Sequence, residues 1–128
     1  MTTTCIDEFL AAVEAASIEA CDAWSTDVVL DATVPDWRFQ RRGPDALKDE
    51  YARWFAAPGR FEAIRREPLA HGEIIEYVLT WPEGGDTFTA HHVHIIDVRD
   101  GRIVHDTVMC GGRWSSELRS QMETASGA

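Results

Sequence analysis

The stretch His91-His92-Val93-His94, followed shortly by His105-Asp106, holds the residue types best suited to chemistry. Imidazole is the side chain whose ordinary pKa lies nearest neutral pH, and a carboxylate beside it fixes its tautomer and stabilises its protonated form. Both segments read as strands, where successive side chains alternate faces. His92 and His94 therefore share one face and His91 takes the other. His105 and Asp106 likewise part company, so these four histidines cannot all converge.

Which of His105 and Asp106 joins His92 and His94 depends on the Asp100-Gly101 turn. A two-residue type I′ hairpin pairs Arg99 with Arg102 and puts His105 on the His94 face. A type I turn with Gly101 in a G1 bulge pairs Val98 with Arg102 and puts Asp106 there instead. Asp-Gly suits either. With the bulge, one face collects Phe88, Ala90, His92, His94, Ile96, Val98, Val104, Asp106, Val108 and Cys110. An apolar face with three polar groups near one level is what a ligand pocket needs, and the pattern favours the bulge on this ground.

Each candidate has two readings. His94 and Asp106 form either a base with its orienting carboxylate or a buried polar pair that only satisfies itself. His92 is a second donor to the pocket or a histidine packed at its rim. His92, His94 and Asp106 also make the two-histidine, one-carboxylate set of some metal sites. The aromatic residues are mostly core, with Trp37, Tyr51, Trp54 and Phe88 the candidates for pocket walls beside Val108 and Cys110. Nothing marks Cys110 as an activated thiol. Asp36, after Pro35, has the character of a turn residue.

The elements that must position these groups follow from periodicity. Residues from about Cys5 to Trp24 have helical spacing in Ile6, Phe9, Leu10, Val13, Ile18 and Trp24, with a break expected near Ala16-Ser17. Val28 to Val34 is a strand that Pro35-Asp36 ends or bends, with Trp37 to Phe39 its expected continuation as an edge. Pro44 after Gly43 starts a helix whose stripe is Leu47, Tyr51, Trp54 and Phe55, stopped by Pro58-Gly59. Strands follow at Phe61–Leu69, Glu73–Trp81, Thr87–Val98 and Ile103–Cys110. Helices first and a meander of strands afterwards give an α+β class, a curved antiparallel sheet wrapped by N-terminal helices around one apolar pocket. Residues 1–122 form one domain in this reading, and 123–128 a flexible tail.

Bulk properties narrow the function classes. The 128 residues suit one domain, and five tryptophans need a core or pocket to house them. A net charge of −10 repels phosphate backbones, so nucleic acid is not an expected partner. Three cysteines without CxxC spacing fit free thiols in a reducing cytoplasm. The start MTTTCIDEF has no signal-peptide pattern, and no window has the run of apolar residues that spans a bilayer.

The segment Asp31-Ala32-Thr33-Val34-Pro35-Asp36, Gly43, the helix with Leu47 and Tyr51, and Val98-Arg99-Asp100-Gly101-Arg102-Ile103 together resemble the nuclear transport factor 2-like superfamily. That group includes ketosteroid isomerases, SnoaL-type polyketide cyclases, scytalone dehydratase and limonene epoxide hydrolase. The resemblance implies a cone-shaped fold, usually dimeric through the outer sheet face, where Val93, Ile95, Ile103 and Met109 are expected. It implies acid–base chemistry without a cofactor on a small, apolar polyketide-, terpenoid- or steroid-like molecule, by isomerisation, cyclisation, dehydration or epoxide opening. The alternative is a protein that binds such a ligand unchanged. By resemblance Asp36 matches the isomerase general base, His94 its second oxyanion-hole group, and Asp106 the last-strand aspartate of the cyclases and hydrolases. The first helix carries Ala11, Ala12 and Val13 where the isomerases have a tyrosine.

Overall fold

The computed structural model describes residues 4–127; the expected domain and tail ends at residues 1–3 and 128 lie outside the described residues. Helix α1 spans Cys5–Ala15 and buries Ile6, Phe9, Leu10 and Val13. Thr4 and Asp7 close its start reciprocally: each backbone N–H donates to the other's side chain at 3.1 Å. Ala16 takes a left-handed conformation (φ 53°) and ends the helix. The break expected near Ala16-Ser17 is there, and the helical reading from it to Trp24 is corrected. A single 3₁₀ turn covers Ile18–Ala20, and Trp24 already opens strand β1, Trp24–Val34.

Strand β2 (Trp37–Arg42) returns from β1 through a two-residue turn at Pro35-Asp36, with Val34 opposite Trp37. Helix α2 (Pro44–Trp54) starts with Pro44 at its first position and buries Leu47, Glu50 and Tyr51. Strands β3 (Arg60–Leu69), β4 (Gly72–Glu83), β5 (Asp86–Arg99) and β6 (Arg102–Trp114) form the meander. The sheet order is β2-β1-β6-β5-β4-β3. All pairs are antiparallel except β1–β6, which is parallel, so the α+β fold has a mixed, open sheet with β2 and β3 as its edges. Helix α3 (Ser116–Ala125), absent from the sequence reading, has no buried residue to give it an apolar stripe. Polar contacts pin it instead: Arg119 bonds Glu62 at 2.8 and 2.6 Å and Thr89 at 3.1 Å.

The β5–β6 register decides which side chains meet. Asp100 (φ 53°) and Gly101 (φ 76°) make the tight turn with Arg99 opposite Arg102, so the G1 bulge is not the turn that forms. A bulge nevertheless lies two pairs further on. Val98 faces Ile103 and Asp97 faces His105, leaving Val104 as the extra residue. Ile96 then pairs with Asp106 and His94 with Val108, which brings Asp106 to the His94 face as expected. The cost to the expectation is one swap: Ile103 is fully buried, and Val104 is only partly so. Ile103 thus leaves the outer-face set and joins the core.

Candidate active site

The buried face of the sheet carries a continuous chain of hydrogen bonds through four elements. Tyr51 Oη on α2 lies 2.6 Å from Asp106 Oδ2 on β6. Asp106 Oδ1 lies 2.9 Å from His94 Nδ1 on β5. His94 Nε2 is 2.9 Å from the Tyr77 hydroxyl on β4, which is 2.8 Å from His92 Nδ1 on β5. Strand register explains the assembly: Tyr77 sits directly opposite His92, and Asp106, opposite Ile96, is diagonal to His94 on the neighbouring strand. Phe9 of α1 seals the inner end, its ring edge-on to His94 and stacked on Tyr51. His94 and Asp106 are fully buried and His92 is 3% exposed.

Proton positions along this chain follow from donor and acceptor counting. Burial, with Asp106 adding to it, pushes both tyrosine hydroxyls well above their ordinary pKa, so both keep their protons. Tyr51 therefore donates to Asp106. A carboxylate only accepts, so His94 donates Nδ1–H to Asp106 and, when neutral, has a bare Nε2. That nitrogen accepts the Tyr77 O–H. The Tyr77 oxygen is then left as the acceptor for His92, which must carry its proton on Nδ1 and hold a lone pair on Nε2. The other His92 tautomer sets two bare nitrogens against one phenol proton, leaving a buried acceptor unmatched at a cost of about 1–3 kcal/mol.

His92 Nε2 has no hydrogen-bond partner among the described residues, and His92 lines a cavity of about 310 Å³. Trp54, Phe55, Leu79, Trp81, Ala90 and Cys110 supply much of its wall. Glu50, Arg53, Glu83 and Arg113 add a charged border. Glu50 is itself buried and accepts from Arg53 at 2.8 Å and the Trp54 indole N–H at 2.9 Å, which fixes the Trp54 wall. A second β6 irregularity, at Gly111-Gly112, lets Gly112 (φ 99°) pass close to Pro35, and both line the cavity. Burial first, then the neighbouring His94 and His91, holds His92 down at about 3, so charge on this ring is disfavoured. Burial also raises the Cys110 thiol, opposed by the Gly112 N–H at 3.3 Å.

Several expected site residues lie elsewhere. Asp36 (φ 62°) sits in the exposed β1–β2 turn, away from His94 and Asp106 and outside the cavity lining, which corrects its expected place as a second base. Trp37 is 70% exposed on edge strand β2. Phe88 stacks on Trp81 outside the cavity lining, with the Arg113 guanidinium over its ring. Val108 is buried core beneath the network, and Tyr51 is the partner of Asp106 and not a wall. Trp54, His92 and Cys110 do line the cavity. His94 and Asp106 meet as expected but are closed off from it. His91 and His105 fall on the other face, His91 beside Glu76 at 3.0 Å. The two imidazoles flank a phenol and do not converge with Asp106. Among the described residues no group of three histidine, cysteine or acidic side chains is placed to hold a metal ion. Tyr77 is the member of this network that sequence reasoning left in the core. Its signal was there: a tyrosine alternating with Ile75 and Leu79 must find a partner for a buried hydroxyl.

The family model of the SnoaL-like domain matches residues 6–106, most of the chain and all of the hydrogen-bonded network. The chain belongs to the SnoaL-like domain family. Its fold resembles a "putative isomerase" from Bacillus subtilis (TM-score 0.68, 19% identity, 84% of each chain covered). It also resembles a "putative polyketide cyclase" from Xanthomonas campestris pv. campestris (TM-score 0.66, 19% identity, 82% of this chain and 86% of that one). A third likeness is to an NTF-2 like protein of unknown function from Burkholderia xenovorans LB400 (TM-score 0.56, 20% identity, 91% and 88%). At these identities the likeness is one of fold. No curated protein matches the sequence significantly. Among the described residues no helix is long and apolar enough to cross a membrane.

Proposed function

We propose that this SnoaL-like protein is an acid–base enzyme that moves a proton on a small, largely apolar organic molecule, with His92 as the group that touches the substrate. The observation that carries this reading is the unpartnered His92 Nε2 facing an apolar cavity while Nδ1 is tied into a buried network ending at Asp106. A neutral imidazole held in one tautomer is a general base. Isomerisation or cyclisation of a polyketide- or terpenoid-like ketone fits this best, because both begin with removal of a proton beside a carbonyl. The cavity volume is at the small end of ligand sites, about 300–1,000 Å³, which favours compact substrates. His94 and Asp106 take supporting positions and do not touch the ligand.

The test is proton exchange. Small enones and β-diketones are incubated with the protein in D₂O and followed by mass and isomer ratio. Wild-type protein should incorporate deuterium or rearrange a member of the set, and His92→Gln should not. Binding with neither exchange nor rearrangement gives the second reading, a protein that holds its ligand unchanged. That reading is favoured by one feature, the single polar atom of the network that reaches the cavity.

The outer sheet face fits a homodimer contact: Ile95 and Met109 are 39% and 54% exposed there. A dimer in light scattering at micromolar concentration is expected, and a monomer that persists at higher concentration contradicts it.

A further inference from the structure

We infer that Tyr77 is a proton conduit, so that a proton taken from the ligand at His92 ends as positive charge on His94 against Asp106. This rests on the acid–base reading of the cavity and specifies how that chemistry is made possible.

His92 taken alone is a poor base. Its ring is buried, no carboxylate is hydrogen-bonded to it among the described residues, and burial with the neighbouring imidazoles holds its pKa at about 3. His94 has what His92 lacks, a carboxylate 2.9 Å from Nδ1. The Tyr77 hydroxyl touches both rings, at 2.8 and 2.9 Å, and no other side chain bridges them among the described residues.

The chain has two fully matched arrangements. In the resting one, His92 Nδ1–H donates to Tyr77, Tyr77 O–H donates to His94 Nε2, and His94 Nδ1–H donates to Asp106. In the loaded one, His94 is an imidazolium that donates at both nitrogens, Tyr77 donates to His92 Nδ1, and His92 bears its proton on Nε2. The step between them balances. The ligand C–H bond breaks, its electron pair stays on the ligand, and the proton binds His92 Nε2. The Nδ1 proton passes to the Tyr77 oxygen and the phenol proton passes to His94 Nε2. One positive charge appears, on His94 beside Asp106, and one negative charge appears on the ligand. His92 is neutral at the end, as at the start.

A functional consequence follows. After the transfer, His92 turns an N–H toward the same ligand from which it took the proton. That N–H can stabilise the new anion or return the proton to a different carbon, reversing the relay. One nitrogen then serves as base and acid in turn, as a 1,3-proton shift requires.

Long-range ¹H–¹⁵N correlation of the ligand-free protein at neutral pH reads the tautomers directly, with His92→Gln and His94→Gln used for assignment. His92 and His94 should both be Nδ1–H. In Tyr77→Phe, His92 loses the acceptor for that proton and should turn to Nε2–H. The D₂O exchange assay on the same panel should fall at least ~100-fold in that variant, the lower end of a general base's contribution. The variant should still bind panel members, because Tyr77 does not line the cavity and its shape is kept. Exchange sustained by a wild-type His92 that is Nε2–H, or by Tyr77→Phe at the wild-type rate, overturns the relay alone. Both Nδ1–H tautomers without exchange of any panel member overturn the acid–base reading and the relay with it. If Tyr77→Phe does not fold, the wild-type tautomers still decide: an Nε2–H His92 overturns the inference.

Discussion

Replacing Asp106 by Asn should reverse the polarity of the hydrogen-bond chain from residue 106 to His92. Asp106 accepts two bonds, from Tyr51 at 2.6 Å and His94 at 2.9 Å. An amide of the same shape accepts on one side and donates on the other. If its oxygen keeps His94, its NH₂ faces the Tyr51 oxygen and the Tyr51 proton loses its partner, at about 1–3 kcal/mol. If its oxygen keeps Tyr51, the NH₂ meets His94 Nδ1, which must become an acceptor. His94 then carries Nε2–H, Tyr77 donates to His92, and His92 presents an N–H to the cavity. Every group is matched in the second arrangement, so it wins, and the base is lost without any change in shape. Two charge-assisted bonds of about 1.5–3 kcal/mol each become neutral ones of about 0.5–1.5. The relief of burying no charge offsets part of this. A net loss of about 1–3 kcal/mol is expected in urea unfolding, with Tm lower by roughly 4–12 °C. Asp106→Leu leaves two polar atoms unmatched and should lose more, about 2–6 kcal/mol. Proton exchange should drop by ~10²–10⁴ in the Asn protein while it stays folded. Wild-type exchange in Asp106→Asn, or a stability loss as large as that of the Leu variant, refutes this reasoning.

Acid sensitivity follows from His92. The unfolded chain takes a proton below about 6.5 that the folded protein refuses until about 3. Stability from this group is therefore full above pH ~6.5 and falls by up to about 1.4 kcal/mol per unit towards pH 3. Urea titrations of His92→Gln should show a shallower acid limb, and an unchanged slope contradicts a buried neutral imidazole. Ala90→Leu pushes three extra carbons into the cavity wall and should abolish ligand binding by calorimetry while leaving the tautomers as they are. Retained affinity would place the ligand elsewhere. The Cys110 thiol, raised by burial, should react slowly with iodoacetamide at pH 7.5 and much faster above pH 9.5, as read by peptide mass; rapid labelling at pH 7.5 contradicts its burial.

Local chemistry made much of the fold legible. Pro44 at a helix start and the alternation of His92 and His94 with apolar neighbours depend only on nearby residues. So did the prospect of an imidazole and a carboxylate sharing one face, since period-two geometry leaves few choices. Helix α3 was not legible, because polar tethers to Glu62 and Thr89 hold it and no apolar stripe announces it. The end of α1 was legible as a break near Ala16-Ser17, although the left-handed alanine that makes it has no sequence pattern of its own.

Tertiary structure decided what the pair can do. The Val104 bulge, two pairs beyond the turn, brought Asp106 to His94 although the turn itself was the tight one. The β4–β5 register put Tyr77 between two histidines, and Phe9 from a helix far away in sequence sealed the inner end. Residue types determine which groups can carry a proton. Only pairing across strands determines which nitrogen faces the cavity, because hydrogen-bond direction is fixed by neighbours that the chain brings together from distant positions.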